Sequence, residues 1–69
     1  MDTTTKIKTL LVKYNMTATQ LANELGISQS TLSKKMKKGD YYESELKKIA
    51  MVFHLKYEGF FIFKDGGQL

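Results

Sequence analysis

Residues 17–38 read Thr-Ala-Thr-Gln-Leu-Ala-Asn-Glu-Leu-Gly-Ile-Ser-Gln-Ser-Thr-Leu-Ser-Lys-Lys-Met-Lys-Lys, and this stretch decides the fold. Thr17 and Gln20 have the spacing of a capping box, in which each side chain bonds the backbone N–H of the other residue. The stretch therefore predicts a helix from Ala18 to Leu25. Gly26 follows at a position where a left-handed residue ends a helix without a Cβ penalty.

A second short helix is predicted directly after this turn. Ser28 is a good N-cap, and the helix should run from Gln29 to about Lys37. Only Leu32 and Met36 are apolar on it, so most of its circumference should face outward. The small Ala22 lets the two helices approach closely. This spacing predicts a helix-turn-helix whose second helix is free to enter a DNA groove.

Apolar residues on both sides of this unit repeat at helical spacing and predict two flanking helices. The first should cover about Thr4 to Tyr14, with Asn15 at its end, and the last about Glu43 to His54. The apolar positions that carry the pattern are Ile7, Leu10, Leu11, Tyr14, Leu46, Ile49, Ala50 and Phe53.

The tail, residues 57–69, changes in character. Gly59 precedes four apolar residues, three of them aromatic, which favour a strand over a helix. The dipeptide Asp65-Gly66 is a hairpin-type turn signal. The chain is therefore predicted to be mainly all-α, with four to five short helices and a possible short C-terminal strand or hairpin.

The four apolar tail residues also suggest a partner surface. Because a strand alternates its sides, either Phe60 with Ile62 or Phe61 with Phe63 should be exposed on a single copy. Exposed aromatic patches mark partner surfaces, so we expect a homodimer through these four residues, by strand pairing or aromatic packing. The alternatives are that the exposed pair folds over the first helix, or that the chain is a fragment.

The charge of the chain is carried by lysine. Of 69 residues, eleven are lysines and seven are acidic, and the net charge is +4. This balance suits an anionic partner, either nucleic acid or an acidic membrane, although a lysine run can also be only a solvated face. The even scatter of lysines and the lack of a long cationic amphipathic helix argue against the membrane.

Several classes of function lack their residues in this chain. There is no cysteine, and the single histidine, His54, has no second metal ligand nearby. Neither a nucleophile–histidine–acid set nor a phosphate-binding glycine loop is present. We therefore predict no enzymatic activity, no cofactor, no metal and no small-molecule ligand. No apolar run approaches the roughly 20 residues of a membrane span, and the polar start Met1–Thr5 is unlike a signal peptide, so a soluble cytoplasmic protein is expected.

Residues 17–35 resemble the helix-turn-helix of the Cro and lambda-type repressors, the Xre family, and are most similar to small regulators of Gram-positive phages and mobile elements. The resemblance covers roughly residues 5–56. It implies a lambda-repressor-like domain, residues 1–56, with its helix-turn-helix unit at 17–38, followed by residues 57–69 as a possible dimerisation element. It also implies dimers on short palindromic operators. The resemblance is strongest at Gln20-Leu21-Ala22, Leu25-Gly26-Ile27-Ser28 and Ser30-Thr31-Leu32-Ser33.

Candidate contacts to DNA follow from the resemblance and from side-chain chemistry. Gln29 lies at the helix end that meets the bases, and its amide can pair with adenine. The Thr31 methyl can meet thymine, and Lys34 can reach guanine or a phosphate. The expected base contacts are Gln29, Ser30, Thr31 and Lys34. The expected DNA-backbone contacts are Thr17, Thr19, Ser28, Lys35, Lys38 and Tyr41.

The sequence therefore predicts a sequence-specific transcriptional regulator whose partners are double-stranded DNA and a second copy of the chain. A Cro-like repressor acting by occupancy fits best. The alternative is a protein-binding module, an antirepressor or inhibitor, that docks through the aromatic tail on the same scaffold.

Overall fold

Four helices and a short hairpin make up the chain, and the computed structural model describes all 69 residues. The helices are α1 (Thr3–Lys13), α2 (Ala18–Leu25), α3 (Gln29–Lys38) and α4 (Glu43–Val52), and the strands are β1 (Lys56–Tyr57) and β2 (Phe61–Ile62). The predicted fold class is confirmed, mainly helical with a C-terminal hairpin. No helix is long and apolar enough to cross a membrane.

The ends of α2 are set by its own residues, as predicted. The Thr17 hydroxyl accepts the Gln20 N–H at 3.1 Å, and the Gln20 side-chain oxygen accepts the Thr17 N–H at 2.8 Å. Gly26 is left-handed, with φ 73°. The N–H of Ile27 then donates to the carbonyl of Ala22 at 3.0 Å, which closes the last turn and starts the chain toward α3.

The predicted end of α4 at His54 is wrong by two residues. His54 is left-handed, with φ 58°, so the chain has already left the helix there. The N–H of Leu55 donates to the carbonyl of Ala50 at 2.8 Å, which closes α4 with a Schellman motif. The early stop turns Leu55 into the core, where it is buried. The helical spacing of apolar residues could not predict this end, because it includes Phe53 in the pattern and does not assign Leu55 to the core.

One apolar core holds the elements together. It takes side chains from all four helices, from the segment after α4 and from β2, and no polar side chain is buried in it. Each large side chain buried in this way stabilises the fold by about 1.5–3 kcal/mol. The buried residues are Ile7, Leu10, Leu11, Leu21, Ala22, Leu32, Leu46, Ile49, Ala50, Phe53, Leu55 and Phe61.

The tail forms a small antiparallel sheet. In the β1–β2 pair, Lys56 lies opposite Ile62 and Tyr57 opposite Phe61. Residues 67–69 pair with the other edge of β2, where the backbone groups of Phe61 and Leu69 exchange hydrogen bonds of 2.8 and 2.9 Å. The strand β2 is therefore central, and its backbone is bonded on both sides.

The expectation that one of the two residue pairs in the tail is exposed is wrong, because no residue of either pair is exposed. Phe61 is completely buried, while Phe60, Ile62 and Phe63 are half-buried. Phe63 lies against the end of α1, where the Lys13 ammonium is 5.0 Å from the centre of its ring. Alternation does send Phe61 inward, and Phe63, on the same side of the strand, also packs against the core.

Replacing Phe61 with alanine should lower the free energy of unfolding by about 3–5 kcal/mol, because a fully buried ring is lost. Urea denaturation followed by circular dichroism measures the change. Lys64→Ala, at an exposed neighbouring site, is the control and should change stability by less than about 0.5 kcal/mol. A loss below about 1 kcal/mol for Phe61→Ala would mean that the hairpin is not part of the core.

Candidate DNA-binding surface

The helix α3 presents a polar face to solvent. Among its ten residues only Leu32 is buried, and Lys35 and Met36 are half-buried. Ser28 caps its N-terminus, and the left-handed Gly39 ends it with an N–H bond of 2.8 Å to the carbonyl of Lys35. The seven exposed residues are Gln29, Ser30, Thr31, Ser33, Lys34, Lys37 and Lys38.

The positive charge of the protein is concentrated on this helix. It carries four of the eleven lysines and none of the seven acidic residues. The rest of the chain is left with seven lysines and seven acidic residues, so its formal charge is zero. The net charge of +4 therefore belongs to α3, and the helix forms a cationic stripe on an otherwise balanced surface.

The four predicted base-contact residues are all exposed on α3, and three of them line one depression. Gln29, Ser30 and Lys34 line a shallow polar depression, and two residues that the sequence prediction missed, Ser33 and Lys37, line it with them. Helical spacing could have found both, because Ser33 is four residues after Gln29 and Lys37 four after Ser33.

A second depression lies on the other side of Lys34. It is a cleft of about 360 Å³, which we call the lysine cleft. Thr31 and Lys34 border it, and Lys34 therefore serves both surfaces. The residues that line the lysine cleft are Thr31, Lys34, Lys35, Lys38, Asp40 and Tyr42.

The hydroxyl groups that are expected to contact the DNA backbone differ in whether they can still donate a hydrogen bond. The Ser28 hydroxyl accepts the Thr31 N–H at 3.1 Å and donates to the Thr31 hydroxyl at 2.8 Å, so both its roles are used within the chain. Thr17 accepts from Gln20 but donates to nothing in the chain, and Thr19 is exposed. Thr17 and Thr19 can thus donate to a phosphate without breaking an existing bond.

Tyr42, rather than the predicted Tyr41, is the tyrosine that faces the lysine cleft. Thr4 donates its hydroxyl proton to the carbonyl of Met36 at 2.8 Å, so at the 2.8 Å contact between Tyr41 and Thr4 the tyrosine is the donor. Burial raises the pKa of Tyr41. Tyr42 is 76% exposed and lies beside Lys34 and Lys38. Tyr41 therefore ties α1 to the end of α3, and its hydroxyl proton is donated within the chain.

Lys35, which the sequence predicts as a DNA-backbone contact, forms a salt bridge within the chain. Its ammonium pairs with the carboxylate of Glu45 on α4, and both side chains are partly buried. The hydrogen bond to Glu45 raises the pKa of Lys35, and the same bond lowers the pKa of Glu45. The free cations of α3 are therefore Lys34, Lys37 and Lys38, which form no salt bridge.

The sequence is similar to those of known proteins. The sequence profile of the Cro/C1-type helix-turn-helix DNA-binding domain matches residues 6–66. The chain belongs to this family. The chain is also 42% identical over 64 residues to an Archaeoglobus fulgidus protein described as an uncharacterized HTH-type transcriptional regulator, and the match covers 88% of this chain and 87% of that protein. No solved structure matches the sequence.

Family membership assigns the exposed α3 to a DNA-binding domain. The profile extends ten residues beyond position 56, where the resemblance seen in the sequence stops, and so includes both strands of the hairpin. In this helix-turn-helix domain the hairpin shares one core with the helices through Phe61.

Acid should destabilise the domain through two carboxylates at helix N-termini. Backbone and side-chain hydrogen bonds from Thr5 lower the pKa of Asp2, and Lys35 lowers that of Glu45. A lowered pKa adds stability that is present above the unfolded value and is lost as the pH falls through the folded one. The free energy of unfolding should therefore decrease as the pH drops below about 4.

Urea denaturation between about pH 7 and pH 2.5 measures this decrease. The variant Asp2→Asn keeps an N-cap acceptor and should show a shallower decrease than the native chain. Identical pH profiles for the two proteins would show that Asp2 makes no contribution.

Proposed function

We propose that the protein is a sequence-specific transcriptional regulator, a Cro-like repressor, that inserts α3 into the major groove of DNA. One observation carries the proposal, namely that the whole net charge lies on an exposed helix whose face is otherwise small and polar. The description of the Archaeoglobus fulgidus relative as a transcriptional regulator supports the regulatory role. A regulator of this kind binds its DNA in the cytoplasm of a bacterium or phage-infected host.

The residues at the two ends of α3 take different roles. Gln29, Ser30 and Thr31 lie at the N-terminal end of α3, which meets base edges in helix-turn-helix complexes. Lys34 lies one turn further along and can reach a guanine or a phosphate. Lys37 and Lys38 contact phosphates, which position the protein without reading sequence.

The phosphate contacts extend beyond α3. The free hydroxyl protons of Thr17 and Thr19, at the start of α2, can bond phosphates on one side of the groove, since neither is donated within the chain. Tyr42 takes the role first expected of Tyr41, because its exposed side chain borders the lysine cleft.

We also propose that two copies bind a short palindromic operator, with their α3 helices about 34 Å apart. The partner surface is the outer side of the hairpin, where Phe60 and Ile62 keep part of their surface exposed. Phe61 cannot contribute a side chain to it, because it is buried in its own copy.

Gln29→Ala should weaken binding to the selected operator by about 1–3 kcal/mol and leave binding to random DNA unchanged, because only base reading is lost. The operator is first obtained by selection from a random DNA library and sequencing. Fluorescence anisotropy then measures both affinities. Met51→Ala, at a side chain on α4 that is 71% exposed, is the control. Equal losses on both DNAs would contradict the base-reading role, and no binding by the native chain at low salt would contradict DNA binding itself.

Phe60→Ser should shift the protein from dimer to monomer, because it removes half-exposed apolar surface from the partner side of the hairpin. Light scattering after size exclusion distinguishes the 7.9 kDa monomer from its dimer. Val12→Ser removes a side chain that is 82% exposed on α1 and serves as the control. A native chain that is monomeric both free and on its operator would refute the dimer, whatever the variants do.

A further inference from the structure

One carboxylate of α4 is bonded to two neighbours at the edge of the DNA-binding surface. An oxygen of Glu45 accepts the backbone N–H of Tyr42 at 2.9 Å, which is the side-chain half of a capping box at the start of α4. The other oxygen pairs with the ammonium of Lys35 on α3. The Lys35 and Glu45 side chains are 31% and 25% exposed, so water screens the pair less than it screens a fully exposed one.

We propose that Glu45 is a positioning residue that holds Lys35 away from the DNA phosphates and so limits the sequence-independent affinity of the domain. This inference rests on the proposed DNA-binding function. Lys34 and Lys38 are free to bind phosphates, while the Lys35 ammonium is neutralised by a partner on another helix.

The ion pair with Glu45 can keep the Lys35 ammonium from phosphates because Lys35 lies between two surfaces. Its side chain borders the lysine cleft together with Lys34 and Lys38. It also borders a small apolar groove whose lining includes Leu32 and Glu45. The ammonium sits on a flexible four-carbon stem, so the side chain can turn toward either surface. Glu45 selects the groove side, and without it the ammonium joins its two neighbours at the cleft.

A phosphate contact adds affinity for every DNA sequence alike, because phosphates carry no sequence information. Each lysine that neutralises one phosphate steepens the dependence of log affinity on log salt by about 0.9. The effect of Glu45 on Lys35 can therefore be measured from the slope of log affinity against log salt. A purely structural role of Glu45 would not change this slope.

Glu45→Gln is the decisive variant, because glutamine also serves at this capping position but cannot form the ion pair. Binding of the native chain and the variant to a random-sequence duplex of about 20 base pairs is measured by anisotropy from 50 to 200 mM salt. The slope should steepen by about 0.9 in the variant, so its affinity should fall about 3.5-fold more than that of the native chain over this range.

Two further variants separate the ion pair from general charge. Glu43→Gln changes the net charge by the same amount, but Glu43 pairs with Lys47 at 3.8 Å on the exposed side of α4, so its slope should match that of the native chain. Lys35→Met keeps an apolar stem and removes the ammonium. Alone it should leave the slope unchanged, and combined with Glu45→Gln it should restore the native slope.

Three results would overturn the proposal: equal slopes for Glu45→Gln and Glu43→Gln, a slope that Lys35→Met alone reduces by about 0.9, or a double variant that stays steep. Melting temperatures by circular dichroism confirm that each variant is folded under the binding conditions. If the native chain fails to bind the duplex at 50 mM salt, the proposed function fails as well, and that result is distinct from equal slopes among proteins that bind.

Discussion

The position of α3 depends chiefly on the packing of Leu32, its one buried side chain, to which the half-buried Met36 adds. A helix that presents a polar face to solvent cannot bury much of its surface, and here the other residues of α3 are exposed or half-buried. One buried leucine contributes about 1.5–3 kcal/mol, which is little to fix a whole helix. The left-handed Gly26 therefore matters as much as the apolar contact, because it sets the angle at which α3 leaves α2.

The other end of α3 is held by polar contacts from distant parts of the chain. Thr4, at the start of α1, donates to the carbonyl of Met36, and Tyr41 donates to Thr4. On the adjacent side, Lys35 pairs with Glu45 of α4. These bonds satisfy polar groups near the C-terminal end of the helix without adding apolar surface to its outer face. The helix is thereby anchored at both ends while its polar face stays free.

Features of the structure that are local in sequence could be predicted, and those that depend on distant contacts could not. The capping residues of α2 and α3 and the turn at Gly26 are readable because each signal acts within a few residues. The choice between Tyr41 and Tyr42 depends on Thr4, which is 37 residues from Tyr41. The pairing of Lys35 depends in the same way on a different helix, and the cover on Phe63 depends on the end of α1. The spacing of apolar residues contains none of this information.

The hydrogen bond from Thr4 to Met36 has a consequence for the order of folding. Its two residues are 32 positions apart, whereas α2 and α3 are joined by a turn of three residues, so the helix-turn-helix unit can close first. Contacts with large sequence separation form late because a long loop must close before they are made. Changes at Thr4 should then act mainly on the unfolding rate, and changes at Ala22 or Leu32 mainly on the folding rate. The helix-turn-helix unit would thus be assembled before the long-range contacts that fix its position.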